Sequence, residues 1–109
     1  MIYAIDFDGT LCTNAYPEIG QPKTAVINYV YNLHRNGHKL ILSTCREEKS
    51  LAKAIQWCAL QGLIFDAYNK NLPEKIAEYG GDCRKISADF YIDDKNLMLY
   101  EGVGMIERV

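Results

Sequence analysis

The chain has 109 residues, 49% of them apolar and 24% charged, which sets aside collagen, coiled coils and disordered tails and leaves enough length for one core. Twelve Lys and Arg against 14 Asp and Glu give a formal charge of -2, so there is no electrostatic funnel for nucleic acid or acidic membranes. Cys12, Cys45, Cys58 and Cys83 form no C-x-x-C pair and no zinc spacing, so free thiols in a reducing cytoplasm are expected.

Taken in order, Ile2 to Ile5 is a short apolar run ending in acid and reads as a buried strand. It lacks the basic and long apolar regions of a signal peptide, and a cytoplasmic protein is expected. Val26, Tyr29, Val30 and Leu33 fall on one helical stripe, with Pro22 near its start and Gly37 as its stop. Lys39 to Leu42 is a second strand. A helix from about Glu47 to Gln61 carries Leu51, Ala54, Ile55 and Cys58 on one stripe and stops at Gly62. Ile64 to Tyr68 reads as the third strand, Pro73 to Tyr79 as a short helix, Phe90 to Ile92 as the fourth strand and Gly104 to Val109 as an edge strand. The longest uncharged run, Ala54 to Phe65, is too short to cross a bilayer.

Strands alternating with helices through short connections call for right-handed crossovers and a mainly parallel sheet. The expected fold is a three-layer α/β/α sandwich with a Rossmann-like sheet, a single domain spanning 1–109 without a cap. Polar clusters follow three of the strands: Asp6-Phe7-Asp8-Gly9-Thr10, Thr44-Cys45-Arg46 and Asp93-Asp94. In open α/β sheets ligands bind outside the carboxyl ends of the strands, so these segments should meet at one crevice. Four carboxylates there repel one another unless a cation sits among them, and an all-oxygen donor set of this charge suits magnesium.

Asp6-Phe7-Asp8-Gly9-Thr10 after an apolar strand resembles the first signature of the haloacid dehalogenase (HAD) superfamily. Thr44 closing Leu40 to Ser43 is similar to the second, Lys85 to the third and Tyr91-Ile92-Asp93-Asp94 to the fourth. The resemblance spans Ile2 to Asp94, and its specificity lies in the order of the four pieces. It implies that Asp6 is a nucleophile forming an aspartyl-phosphate, and that Asp8 is the acid for the leaving group and then the base for water. An Asp at this second position accompanies phosphatases in the family, rather than dehalogenases. Asp6, the Asp8 carbonyl and Asp93 would hold magnesium, with Asp94 beside them; Thr44 and Lys85 would bind phosphoryl oxygens.

Each role has a plainer competitor. Thr44 with Glu47 fits a helix capping box, leaving Ser43 as the alternative; Lys70, Lys75 or Lys95 can stand in for Lys85; and Asp94 can be a turn residue. Gly9, Thr10 and Arg46 are candidate substrate contacts, Arg46 either forking onto a phosphate or pairing with Glu47 or Glu48. His34 and His38 straddle a helix stop and read as structural. The expected activity is a magnesium-dependent phosphatase, with a silent HAD-like domain that binds a phosphorylated ligand as the alternative. A signalling receiver domain fits poorly, because the third strand brings no acceptor carboxylate beyond Asp66. The short loop Leu11 to Gln21, with Tyr16 and Glu18 over the crevice, makes a flap and not a lid. A large phosphorylated substrate or a neighbouring subunit would then close the site, on an open monomer or weak homo-oligomer.

Overall fold

A computed structural model describes residues 1–79, 86–94, 98–100 and 104–106. Nine elements follow in chain order: β1 (Ile2–Ile5), α1 (Thr24–Arg35), β2 (Lys39–Leu42), α2 (Glu48–Leu60), β3 (Ala67–Tyr68), α3 (Pro73–Tyr79), β4 (Phe90–Ile92), β5 (Met98–Tyr100) and β6 (Gly104–Ile106). The first four strands form an all-parallel sheet in the order β3-β2-β1-β4, and β5 and β6 pair in a separate antiparallel ribbon. The molecule is an α/β fold built on a four-stranded parallel sheet.

Register places the site. Ile5 at the end of β1 lies opposite Leu42 of β2 and Ile92 of β4. The ladder runs one residue further, with the Asp6 N–H donating to the Ile92 carbonyl at 2.9 Å and the Ser43 N–H to the Ile5 carbonyl at 2.8 Å. Asp6, Ser43 and Asp93 therefore leave the sheet side by side at its carboxyl end.

The period-two alternation sorts the strand residues to two faces. Tyr3, Ile5, Leu40, Leu42 and Ile92 pack with Ile27, Val30 and Leu33 of α1 and Ala54 and Cys58 of α2, whereas Ile41 and Ala67 pack with Leu72. The buried centre of α1 sits one position from the expected stripe: Ile27 is buried, while Val26 and Tyr29 flank it half-buried. An apolar stripe is wide enough for docking on the sheet to choose its centre. Both glycine stops form as expected. Gly37 and Gly62 take φ +90 and +84, and each lets the next N–H reach back, His38 to the Leu33 carbonyl at 3.1 Å and Leu63 to the Cys58 carbonyl at 2.8 Å.

Two strand expectations need correction. The third strand is Ala67–Tyr68, not Ile64 to Tyr68, and Ile64 is 54% exposed. Asp66 closes the start of the ladder itself, its N–H donating to the Leu40 carbonyl and its Oδ2 accepting from the Leu40 N–H, both at 2.8 Å. A carboxylate that stands in for a backbone acceptor ends regular pairing there. The last strand, Gly104–Ile106, does not edge the main sheet but pairs with Met98–Tyr100, a strand absent from the expectation. An antiparallel partner needs only a short turn, whereas joining the parallel sheet requires a full crossover. Among the described residues no helix is long and apolar enough to cross a membrane.

Candidate functional site

At the carboxyl ends of β1, β2 and β4, Asp6, Ser43, Thr44, Cys45, Asp93 and Asp94 line an open cavity of about 460 Å³, with Tyr91 at its edge. The chain steps outward from β1 to β2 to β3 and then returns to the far side of β1 as β4. The cavity thus lies at the point where strand order reverses, the place where α/β sheets leave room for a ligand.

Asp6 is half-buried on the cavity floor, and one carboxylate oxygen accepts the Phe7 N–H at 2.8 Å. Burial pushes its carboxyl above the usual range, and the charges of Asp94, Asp93 and Asp8 push the same way against that one bond. The Asp94 carboxylate lies over the Gly9 backbone: a Cβ on Gly9 would lie 2.7 Å from Asp94 Oδ2, and Gly9 has φ +86. Only glycine meets both demands without displacing the carboxylate. Asp6, Asp93 and Asp94 are the side chains suited to a divalent cation, which would relieve the repulsion that Asp6 bears. Among the described residues no three His, Cys, Asp or Glu side chains are grouped tightly enough to hold a metal alone. Water and substrate oxygens would complete the shell, as magnesium commonly arranges.

Asp8 points elsewhere. Arg46 Nε donates to Asp8 Oδ2 and Nη2 to Oδ1, each at 2.8 Å, in a bidentate pair whose guanidinium side is fully buried. Nη2 also reaches the Glu18 carbonyl at 2.8 Å, and Nη1 reaches those of Pro17 and Ser50 at 3.2 and 3.4 Å. All five guanidinium N–H groups are thereby spent within the protein. The bonds to Asp8 hold Arg46 charged, above its ordinary value. Phe7 and Tyr16 lay their rings on it at 5.1 and 5.0 Å.

This corrects the expected substrate contacts. Arg46 forks onto Asp8 and not onto Glu47 or Glu48, because the buried cation needs a carboxylate within reach once it leaves water, and its five N–H groups are taken up inside the protein. Gly9 and Thr10 are buried and do not line the cavity. The turn at Gly9 folds the Thr10 and Leu11 N–H groups back onto the Phe7 carbonyl at 3.1 and 3.0 Å, tucking Thr10 beneath the loop. Tyr16 lies on Arg46, and neither Tyr16 nor Glu18 lines the cavity.

Thr44 lines the cavity, and its Oγ1 accepts the Arg46 N–H at 3.2 Å, holding its own loop. The capping box falls one turn later, where Ser50 Oγ accepts the Glu47 N–H at 3.2 Å. Asn69, unassigned from sequence, braces the loop from β3: its Oδ1 accepts the Thr44 N–H at 2.7 Å and its Nδ2 donates to the Arg46 carbonyl at 3.2 Å. It stands at φ +53, which asparagine tolerates better than most residues and which is its sequence signal. Lys23 is the other omission, with Nζ 2.9 Å from the Gly9 carbonyl. Lys85 and Cys83 lie outside the described residues. His34 faces Asp66 at 3.8 Å and His38 packs edge-on against Tyr3.

No protein-family model matches the chain, and a search of curated proteins finds no match. Among solved structures, a conserved protein from Bacteroides thetaiotaomicron is 43% identical, with a TM-score of 0.79 over 88% of this chain and 77% of that one. At that identity over most of both chains, this protein belongs to the same family as the conserved Bacteroides protein.

Proposed function

We propose that the protein is a magnesium-dependent phosphohydrolase of the HAD type that works through an aspartyl-phosphate on Asp6. The observation that carries the reading is the position of Asp6. It is a half-buried carboxylate at the strand-order reversal, with Thr44 across the cavity and Asp93 and Asp94 beside it. The topology supports a three-layer α/β/α sandwich without a cap. Right-handed steps from β1 to β2 to β3 put α1 and α2 on one face, and the return to β4 puts α3 on the other. Cytoplasmic residence, and life as a monomer or weak dimer, belong to the same reading.

In the first step a carboxylate oxygen of Asp6 attacks phosphorus in line and the ester oxygen departs with a proton from Asp8. In the second, water attacks the phosphoryl group, gives its proton to Asp8 and releases phosphate with the Asp6 carboxylate restored. Thr44 donates to a phosphoryl oxygen, a task in which Lys85 would share. Asp6, the Asp8 carbonyl and Asp93 would hold magnesium, with Asp94 alongside, and when bound it neutralises the phosphate so that one anion can approach another.

One observation favours the alternative, a domain that binds a phosphorylated ligand without turnover: the Asp8 carboxylate is turned onto Arg46 and does not line the cavity. Phosphate release from an aryl phosphate, with and without magnesium, decides between them. The hydrolase reading expects magnesium-dependent release that Asp6→Asn abolishes. Ligand binding with no release above the Asp6→Asn background would establish the silent domain instead.

A further inference from the structure

We infer that Arg46 is a positioning residue that joins the Asp8 carboxylate and the flap 13–21 into one mechanical unit, so that the flap sets where the proton-transfer group stands. The chemical half of this inference rests on the hydrolase reading; the mechanical half does not.

The guanidinium faces two ways. Two of its N–H groups hold the Asp8 oxygens and two hold carbonyls at the turn of the flap, those of Pro17 and Glu18, while the fifth reaches Ser50 on α2. The flap's base is closed on its own account, with the Thr13 N–H donating to the Gln21 carbonyl at 2.8 Å and the Gln21 N–H to Thr13 Oγ1 at 2.9 Å. Gly20 allows that closure, since a Cβ there would meet the Thr13 carbonyl at 2.2 Å. The turn is therefore tied to the rest of the protein by polar contacts through Arg46, beside the packing of Ile19 on the core.

Arg46 cannot serve one side alone. Its side chain is fully buried, and a buried cation that loses its carboxylate keeps its desolvation cost without the attraction that offsets it. If the flap lifts, Arg46 either follows and leaves Asp8 or stays and leaves two carbonyls. Tyr16 adds a handle: its ring lies on the guanidinium while the residue is 60% exposed, so a substrate pressing on the flap presses on Arg46. Arg46 lies 38 residues from Asp8 and 28 or more from the flap carbonyls in the sequence, so the coupling is tertiary and not a local turn.

The test compares amide hydrogen exchange of the full chain in the wild type, Asp8→Asn and Arg46→Lys. Asn presents an NH₂ where one oxygen accepted an Arg46 N–H, so donor faces donor. The expected result is that amides of 13–21 exchange faster in both variants by about tenfold or more beyond any change shared by β1, β2 and α1. Flap exchange in Asp8→Asn equal to wild type would overturn the coupling, and this arm decides even if Arg46→Lys does not fold. A second arm measures kcat and KM on an aryl phosphate and an alkyl phosphate. Arg46→Lys should reproduce the Asp8→Asn pattern, a loss in kcat about tenfold greater on the alkyl ester with KM little changed, and the double variant should lose little more. Equal losses on both esters, or additive losses in the double variant, would overturn the positioning role. A wild type without turnover would remove the hydrolase reading, and the exchange result would still decide the coupling.

Discussion

Asp6 and Asp8 stand two residues apart on one loop and meet opposite surroundings. Asp8 has both oxygens on a buried guanidinium at 2.8 Å, whereas Asp6 is half-buried among like charges with its one local bond from Phe7. One carboxylate holds the loop, the flap and the second strand's loop together. The other sits where its charge opposes folding. Such an arrangement suits the nucleophile role proposed for Asp6, since a carboxylate already satisfied by the protein has little to offer phosphorus.

The largest expected effect separates the two directly. Asp6→Asn should lower turnover by several orders of magnitude and yet raise Tm, because it removes a charge that burial and its neighbours disfavour. The sign follows from the raised carboxyl. Below the ordinary Asp value of about 3.9 wild type and variant are both neutral and equally stable; as pH climbs through the raised value only the wild type gains the unfavourable charge. The variant's advantage should therefore open above about pH 4 and persist at neutral pH, and thermal melts across that range check it. A Tm advantage that instead grows on acidification would break the comparison.

Breaking the other pair should do the reverse. Arg46→Met removes the buried cation that holds the Asp8 carboxylate and three carbonyls and should cost about 3 kcal/mol in urea denaturation. Stability within about 1 kcal/mol of wild type would mean that the pair does not hold the loop.

Between these lies Gly9→Ala, which forces a side chain into φ +86 and against Asp94 Oδ2. It should cost about 1–3 kcal/mol and raise the magnesium needed for half-maximal activity, with Asp8 and its partner undisturbed. Asn69→Ala removes two bonds from the Thr44 loop and should cost about 1–2 kcal/mol, with a modest fall in kcat. The smallest effect is a labelling one. Exposed Cys45 should react with a thiol reagent at pH 8 and be protected by magnesium with phosphate, while Cys58, whose thiol burial pushes up to about 12, should react only on unfolding.

Much of this molecule is local and therefore legible in the chain. The apolar runs of β1 and β2, the α1 and α2 stripes and the stops at Gly37 and Gly62 are each decided within about a turn or a strand of sequence. Because successive strands in such patterns run parallel, the residues that follow β1, β2 and β4 could be assigned to one end of the sheet, and Asp6, Thr44, Asp93 and Asp94 do line one cavity there. Where a side chain replaces a backbone partner, periodicity misleads: Asp66 accepts from Leu40 and cuts β3 short although Ile64 and Phe65 continue the apolar run.

What the tertiary structure alone decided is which way each charged group turns. Asp8 and Arg46 are 38 residues apart, and nothing local to either distinguishes a pair with each other from a pair with a ligand or with Glu47. The choice is made by burial: once Phe7 and the flap, through Tyr16, close over the guanidinium, the cation must be neutralised and all its donors filled, and Asp8, Pro17, Glu18 and Ser50 are what the fold brings within reach. Asn69 became the brace of the Thr44 loop for the same reason, because parallel pairing of β2 with β3 sets it beside that loop. The sequence by itself determined which elements form and at which end of the sheet the polar residues gather, since periodicity and turn chemistry act over a few residues. Desolvation, which acts only when distant segments meet, decided that one acid of the loop is bound within the fold and the other is left facing the cavity.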